Sequence, residues 1–254
     1  MSILYELAAA ARTRTIFVPP PAGARAPSLA KAFARPGILA EIKPASPTQG
    51  AMRAVDEPEA LARALLSAGA VGISALTEPT RFGGSPALLR DAALAGGPVL
   101  MKDFVVTEQQ LDLARASGAS AVLLILPLLS REHSAWASPE EAIDAAHARG
   151  LEVLLEVYDD EGYLIASLLP ADLIGINNRD LREAGLPVDP DRAAGVLGRM
   201  GGADVPVLSL SGVETAADVR TAIAAGARGV LVGSVLMKAA DPAAQLRAMM
   251  EGLR

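Results

Sequence analysis

Six short stretches carry residue types that could do chemistry together. Glu41 and Lys43 are two apart in an apolar run, so in a strand both side chains project from one face. Lys102, Glu156 and Asn177 each follow an apolar run of their own, and Asn178 and Arg179 come directly after Asn177. Two glycine–serine pairs, Ser211-Gly212 and Gly233-Ser234, close two further runs. Two carboxylates and two lysines brought together suit acid–base chemistry on an anionic substrate. A lysine there serves either as a general acid or as a Schiff-base former, and the residues alone leave both open. The glycine–serine pairs suit a phosphate, because glycine lets backbone N–H groups approach an anion closely. The competing reading is an ion-pair network that only closes the end of the fold. It weakens as the set grows, since buried charges are costly and a purely structural network needs few of them.

These residues converge only if their runs lie side by side. Strands are expected at 38–42, 71–75, 99–101, 121–125, 152–155, 173–176, 207–210 and 229–232, nearly all continuously apolar, as strands of a covered parallel sheet are. Helical patterns lie between them, at 58–68, 107–117, 140–148 and 215–225 among others, with Thr107 placed to cap and Pro58 in a first turn. An Ala/Ser-Gly-Ala junction recurs at 68–70, 117–119 and 225–227, each time just before a strand. Eight alternations in about 250 residues predict an α/β fold, a (β/α)8 TIM barrel whose active site forms at the C-terminal strand ends. Every candidate residue above falls at that end. Glu152, at the start of its strand, is expected at the opposite, stability-bearing end. A doubly wound sheet would advertise a glycine-rich phosphate loop after the first strand, and neither such motif occurs. Residues 1–36 read as an N-terminal helical extension packed on the barrel, with a helix at 3–12 and a semi-rigid proline-rich linker at 18–27; residues 37–254 form the catalytic barrel.

Composition narrows the function classes. The chain has 254 residues, 51% hydrophobic and 20% charged, with 23 Lys+Arg against 29 Asp+Glu and a formal net charge of −6. That excludes a disordered tail and argues against a nucleic-acid partner. With no cysteine there is no disulfide, thiol nucleophile or Cys-ligated metal. The two histidines, His133 and His147, are expected to be solvated, Trp136 to be packing, and no metal-ligand spacing is present. The longest apolar run, 121–129, contains Pro127 and is under half of the ~20 residues a bilayer span needs. No secretory signal is read at the N-terminus, so a cytoplasmic protein with neither membrane nor nucleic-acid partner is expected, a monomer being sufficient.

The motifs around these residues resemble those of the indole-3-glycerol phosphate synthase family. The resemblance rests on Glu41-Ile-Lys-Pro-Ala-Ser-Pro-Thr-Gln-Gly50, Leu76-Thr-Glu-Pro-Thr-Arg-Phe-Gly-Gly-Ser85, Met101-Lys-Asp-Phe104, Leu155-Glu-Val157, Ile174-Gly-Ile-Asn-Asn-Arg-Asp-Leu181 and Leu231-Val-Gly-Ser-Val-Leu-Met237. It runs in order from about residue 38 to residue 237. It implies a cofactor-free carbon–carbon lyase of tryptophan biosynthesis that cyclises, decarboxylates and dehydrates an anthranilate-derived aminodeoxyribulose 5-phosphate. By that resemblance Lys102 is the general acid on the ketone and Glu156 the acid or base of the dehydration. Lys43 holds the substrate carboxylate or assists proton transfer. Glu41 and Asn177 orient the anilino nitrogen and the lysines, and Ser211 binds or polarises the substrate. Ser46, Gly212, Gly233 and Ser234 hold phosphate, and Arg179 belongs to the polar shell. Phe82, Phe104, Leu123 and Leu181 form the aromatic-ring pocket, and the extension covers the mouth.

Two positions depart from the family pattern. Where the seventh strand usually reads Ser-Glu-Ser-Gly, this chain has Ser209-Leu-Ser-Gly212, and Tyr158 stands where histidine is common. The first departure bears on activity and the proton path; the second is expected to be neutral. Two other readings are kept for test: a different sugar-phosphate isomerase or aldolase barrel, and a phosphate-ligand-binding barrel weakened by Leu210.

Overall fold

The computed structural model describes residues 2–18 and 26–254. Eight strands, β1 (Gly37–Ile42), β2 (Gly72–Leu76), β3 (Val99–Lys102), β4 (Ala121–Ile125), β5 (Glu152–Val157), β6 (Leu173–Asn177), β7 (Val207–Leu210) and β8 (Gly229–Val232), pair in parallel and close into a (β/α)8 barrel. Closure is made by β1, which pairs β8 on one side (Leu39 opposite Leu231) and β2 on the other (Glu41 opposite Ser74). The expected strands are all present. The differences lie at their ends: β3, β5 and β6 run on through Lys102, Glu156 and Asn177, so these polar residues are held by the ladder rather than by loops.

Alternation sorts each strand into two faces. Ile38, Ala40 and Ile42 belong to the layer between sheet and helices, with Ile73, Met101, Val122, Val153, Ile174 and Val230. Leu39, Leu100, Leu123, Leu154, Leu173, Leu208 and Leu231 fill the interior. Continuing that inward register by two carries the chain to Glu41, Lys102 and Glu156, and by four, past Gly175, to Asn177. The residues that fill the barrel thus fix which polar residues reach its mouth.

Local sequence sets the helix boundaries. Ser85 and Ser138 accept from backbone N–H groups three residues on, at 3.1 and 3.3 Å, ahead of Pro86 and Pro139 in the first turns of helices Pro86–Ala93 and Pro139–His147. Thr107 does occupy an N-cap, and the side chain of Gln110, fully buried, accepts from its backbone N–H at 3.1 Å. Gln110 also donates to the Phe104 carbonyl, which pins the loop after β3. The junction glycines 69, 118 and 226 all take positive φ, as a helix end turning straight into a strand requires.

The N-terminal segment touches both ends of the barrel. Helix α1 (Ile3–Thr13) meets loops at the mouth: the Leu4 N–H donates to the Leu181 carbonyl and Arg12 to that of Glu132. Residues 28–33 sit at the bottom, where the Leu29 and Ala30 N–H groups donate to Glu152 at 2.7 and 2.9 Å and Ser28 also donates to it. The expected place of Glu152, at the strand start and away from the mouth, is where it lies. Phe33 packs against Gly229 so closely that a Cβ there would fall 2.3 Å from its ring. The proline-rich linker expected at 18–27 falls mostly outside the described residues.

Candidate active site

A cavity of about 310 Å³ opens at the C-terminal strand ends. Twelve of the fifteen residues singled out from the sequence line it: Glu41, Lys43, Ser46, Phe82, Lys102, Asn177, Arg179, Leu181, Ser211, Gly212, Gly233 and Ser234. Glu156, Phe104 and Leu123 are not among the lining residues; all three are buried. Phe104 backs the pocket through Phe82, their ring centroids 6.3 Å apart.

Glu41 is the electrostatic hub. Burial would raise its carboxyl, yet Lys43, with Nζ 2.9 Å from Oε1, and the more distant charge of Lys102 outweigh burial and hold it below its ordinary value. Gly233 makes room for this arrangement. A Cβ at that position would lie 2.6 Å from Glu41 Oε1, so the glycine expected to serve phosphate also seats the carboxylate.

The β6 loop is tied to the β7 loop by a residue whose importance the sequence did not signal. Asn178, fully buried, donates from Nδ2 to the Ser211 carbonyl at 2.9 Å and to Ser209 Oγ at 3.1 Å; its Oδ1 accepts from the Ala193 N–H. Ser211 and Gly212 take φ of 64° and 72° in succession, a backbone that turns back over the cavity, and Val188 closes against Gly212. Serine in the left-handed region is strained, and Asn178 holds it there. Asn177 Oδ1 accepts from the Arg179 N–H at 3.0 Å, and the Arg179 guanidinium donates to the Leu186 carbonyl. Burial lowers the pKa of Arg179 from its ordinary value.

Other organisers also escaped the sequence. Glu78 accepts from the Thr80 hydroxyl and from the backbone N–H groups of Thr80, Arg81 and Phe82, which shapes the turn carrying Phe82; the hydroxyl bond first, then the backbone bonds, hold its carboxyl low against the opposing effect of burial. Asp103, next to Lys102, accepts from Arg14 at 2.7 and 3.2 Å, from Thr77 Oγ1 at 2.7 Å and from the Phe104 N–H. Helix α1 is thereby tethered to the strand that bears Lys102.

The two departures from the family pattern both sit inward. Leu210 is fully buried, its Cδ1 close above Gly175, in the interior apolar cluster with Leu123, Leu181 and Phe104. Tyr158, expected to be neutral, donates to Glu156 Oε1 at 2.8 Å. The histidines lie apart from the cavity. His147 is exposed and pairs with Asp172 at 2.8 Å, while His133 is not freely solvated: its ring stacks on Tyr5 of α1 at 4.5 Å. Trp136 is buried in the core, as expected. Among the described residues no cluster of His, Cys, Asp and Glu is arranged to hold a metal, and no helix is long and apolar enough to cross a membrane.

A family model described as indole-3-glycerol phosphate synthase matches residues 11–249. The chain is 41% identical over 247 residues to indole-3-glycerol phosphate synthase 2 of Streptomyces coelicolor, covering 97% of this chain and 89% of that protein. It is 40% identical over 243 residues to the indole-3-glycerol phosphate synthase of Methanopyrus kandleri, covering 92% and 91%. Solved structures add agreement on fold alone. A tryptophan synthase chain from M. tuberculosis superposes with a TM-score of 0.60 at 17% identity, over 88% of this chain and 94% of that one. A thiamine phosphate pyrophosphorylase from Pyrococcus furiosus gives 0.61 at 16%, over 88% and 96%.

Proposed function

We propose roles for the side chains of this mouth from one premise: the chain belongs to the indole-3-glycerol phosphate synthase family. It is an enzyme, a lyase of tryptophan biosynthesis, that converts 1-(2-carboxyphenylamino)-1-deoxyribulose 5-phosphate to indole-3-glycerol phosphate, carbon dioxide and water. The carrying observation is that Lys102 and the Glu41–Lys43 pair face one cavity that also holds Asn177, Phe82 and both glycine–serine ends.

The reaction joins the carboxylate-bearing ring carbon to the ketone carbon. As the ketone oxygen gains negative character it takes a proton from the Lys102 ammonium. The ring–carboxylate bond then breaks, carbon dioxide leaves, and its electron pair restores the aromatic ring. The new hydroxyl departs as water with one added proton, pushed by the nitrogen lone pair, and a proton lost from the adjacent methylene completes the indole. Glu156 handles the protons of this last stage, its Oε2 having no partner among the described residues. Lys43 attracts the substrate carboxylate, while Glu41 and Asn177 orient the nitrogen and the lysines. Ser211 polarises the substrate from its strained turn. Ser46, Gly212, Gly233 and Ser234 hold the phosphate, with Arg179 adding positive charge nearby. Phe82 and Leu181, backed by Phe104 and Leu123, stack the aromatic ring and exclude water, which strengthens each charge contact.

Residues 1–36 act as an extension on the 37–254 barrel, with α1 beside the mouth. The partner is a free sugar phosphate met by a monomeric, cytoplasmic chain. The test is turnover followed by indole fluorescence, against the low background of the single Trp136. Wild-type protein should show a rise with carbon dioxide release, and Lys102→Ala should lose at least about a thousandfold while remaining folded. Binding without turnover in the wild type would indicate the barrel weakened by Leu210. Turnover unchanged in Lys102→Ala would remove that residue's role.

A further inference from the structure

Apart from Glu41, which is paired with Lys43, the buried carboxylates among the described residues fall into two kinds. Glu78, Asp103 and Asp180 have both oxygens hydrogen-bonded, by backbone N–H groups, hydroxyls or arginines. Such saturation is what structural carboxylates need, because an unpaired charged oxygen away from water is expensive. Glu156 is different. It is fully buried, its Oε1 accepts from the Tyr158 hydroxyl at 2.8 Å, and its Oε2 has no partner among the described residues. A free oxygen kept at that cost is one held for something that arrives later.

Tyr158 is built to keep it so. It follows β5 directly, two residues after Glu156. The phenol is buried against that carboxylate, and burial together with the neighbouring negative charge keeps its proton in place, so it acts as a donor throughout the working pH range. Its ring is held from the other side: the Arg182 guanidinium lies 4.9 Å from the ring centroid, itself fixed by Asp180 at 2.7 Å and Asp159 at 2.8 Å. The Tyr158 carbonyl accepts from Arg192. Leu210 adds nothing polar to the interior that could substitute.

We propose that Tyr158 is a positioning residue for the reaction: by engaging Oε1 of Glu156 it fixes the rotation of the carboxylate and leaves Oε2 as the one oxygen that exchanges protons with substrate. This deepens the role given to Glu156 above and rests on it. Tyr158 touches no substrate itself. Tyrosine is then a neutral replacement for histidine in one respect only: both can donate to the carboxylate.

The test is a double-mutant cycle on the whole enzyme with the aminodeoxyribulose phosphate as substrate. Tyr158→Phe keeps the ring and its arginine contact and removes only the donor. It should lower kcat about ten- to a hundredfold while KM stays within about twofold, since substrate binding groups are untouched. Tyr158→His, which offers an N–H donor, should recover most of the loss. In a Glu156→Gln background, Tyr158→Phe should cost nothing further, because the residue acts only through that carboxylate. Unchanged kcat in Tyr158→Phe, or an equal loss in the Glu156→Gln background, would overturn the proposal. Full turnover in Glu156→Gln alone would overturn the reading beneath it, and is told apart because it needs no change at Tyr158.

Discussion

Gly233 and Glu41 share one volume: the space a β-carbon would need at 233 is held by the Glu41 carboxylate, 2.6 Å from its Oε1. Gly233→Ala should therefore displace Glu41 from Lys43 rather than merely stiffen a phosphate loop. Turnover is expected to fall at least about tenfold with the melting temperature little changed. A rise in KM with kcat intact would show that the glycine serves the phosphate alone.

Glu41 also gives the enzyme an acid-sensitive element. Its carboxyl is held below the ordinary 4.5, so the folded state binds that proton less readily than the unfolded chain. The stability this confers is complete above the unfolded value and is lost as pH falls through the lower, folded one. Urea unfolding of wild type and Glu41→Gln should differ by a constant amount above about pH 5 and converge below 4.5. A gap that persists unchanged to pH 3 would contradict the assignment.

The tether between α1 and β3 should be measurable in both stability and rate. Arg14 supplies two of the hydrogen bonds that Asp103 accepts, and Asp103 is buried while Arg14 is partly exposed. Arg14→Met is expected to cost about 1–3 kcal/mol, because the buried acid keeps only Thr77 and a backbone N–H. For a chain of this size that is roughly 2–12 °C in Tm. Turnover should fall as well, since Lys102 is the neighbouring residue; an unchanged rate would confine the tether to stability.

Leu210→Glu would put back the acid that the family pattern carries. In this chain it places a carboxylate in the apolar cluster of Leu123, Leu181, Leu208 and Phe104. A loss of stability on the order of 3 kcal/mol is expected by chemical denaturation, with no gain in kcat. A large gain in kcat would mean that the wild-type barrel is catalytically impaired by its leucine.

Much of this was legible in the residues because a barrel strand offers few choices. Once 38–42 is read as a strand, Glu41 must share a face with Leu39, and the same parity places Lys102 and Asn177. What escaped were groups whose work is to bond backbone. Asn178 and Glu78 look like ordinary polar loop residues, and Gln110 like an ordinary first-turn helix residue, until the chain folds around them. Glu156 is expected just past its strand, whereas the strand runs on through it and buries it completely, and no single-strand pattern contains that depth.

The contacts of α1 with the mouth also dictate an order of events. Arg14 bonds a residue 89 positions later, Arg12 one 120 positions later, and Leu4 reaches Leu181. The helix is made before its seat, which does not exist until β3, β4 and β6 have been made and aligned. Closing such long loops is slow and becomes worthwhile only when the far side is already ordered. Helix α1 is thus among the last parts to acquire its native surroundings, and pulse-labelled hydrogen exchange should find amides of residues 4–12 protected after those of β3 to β6.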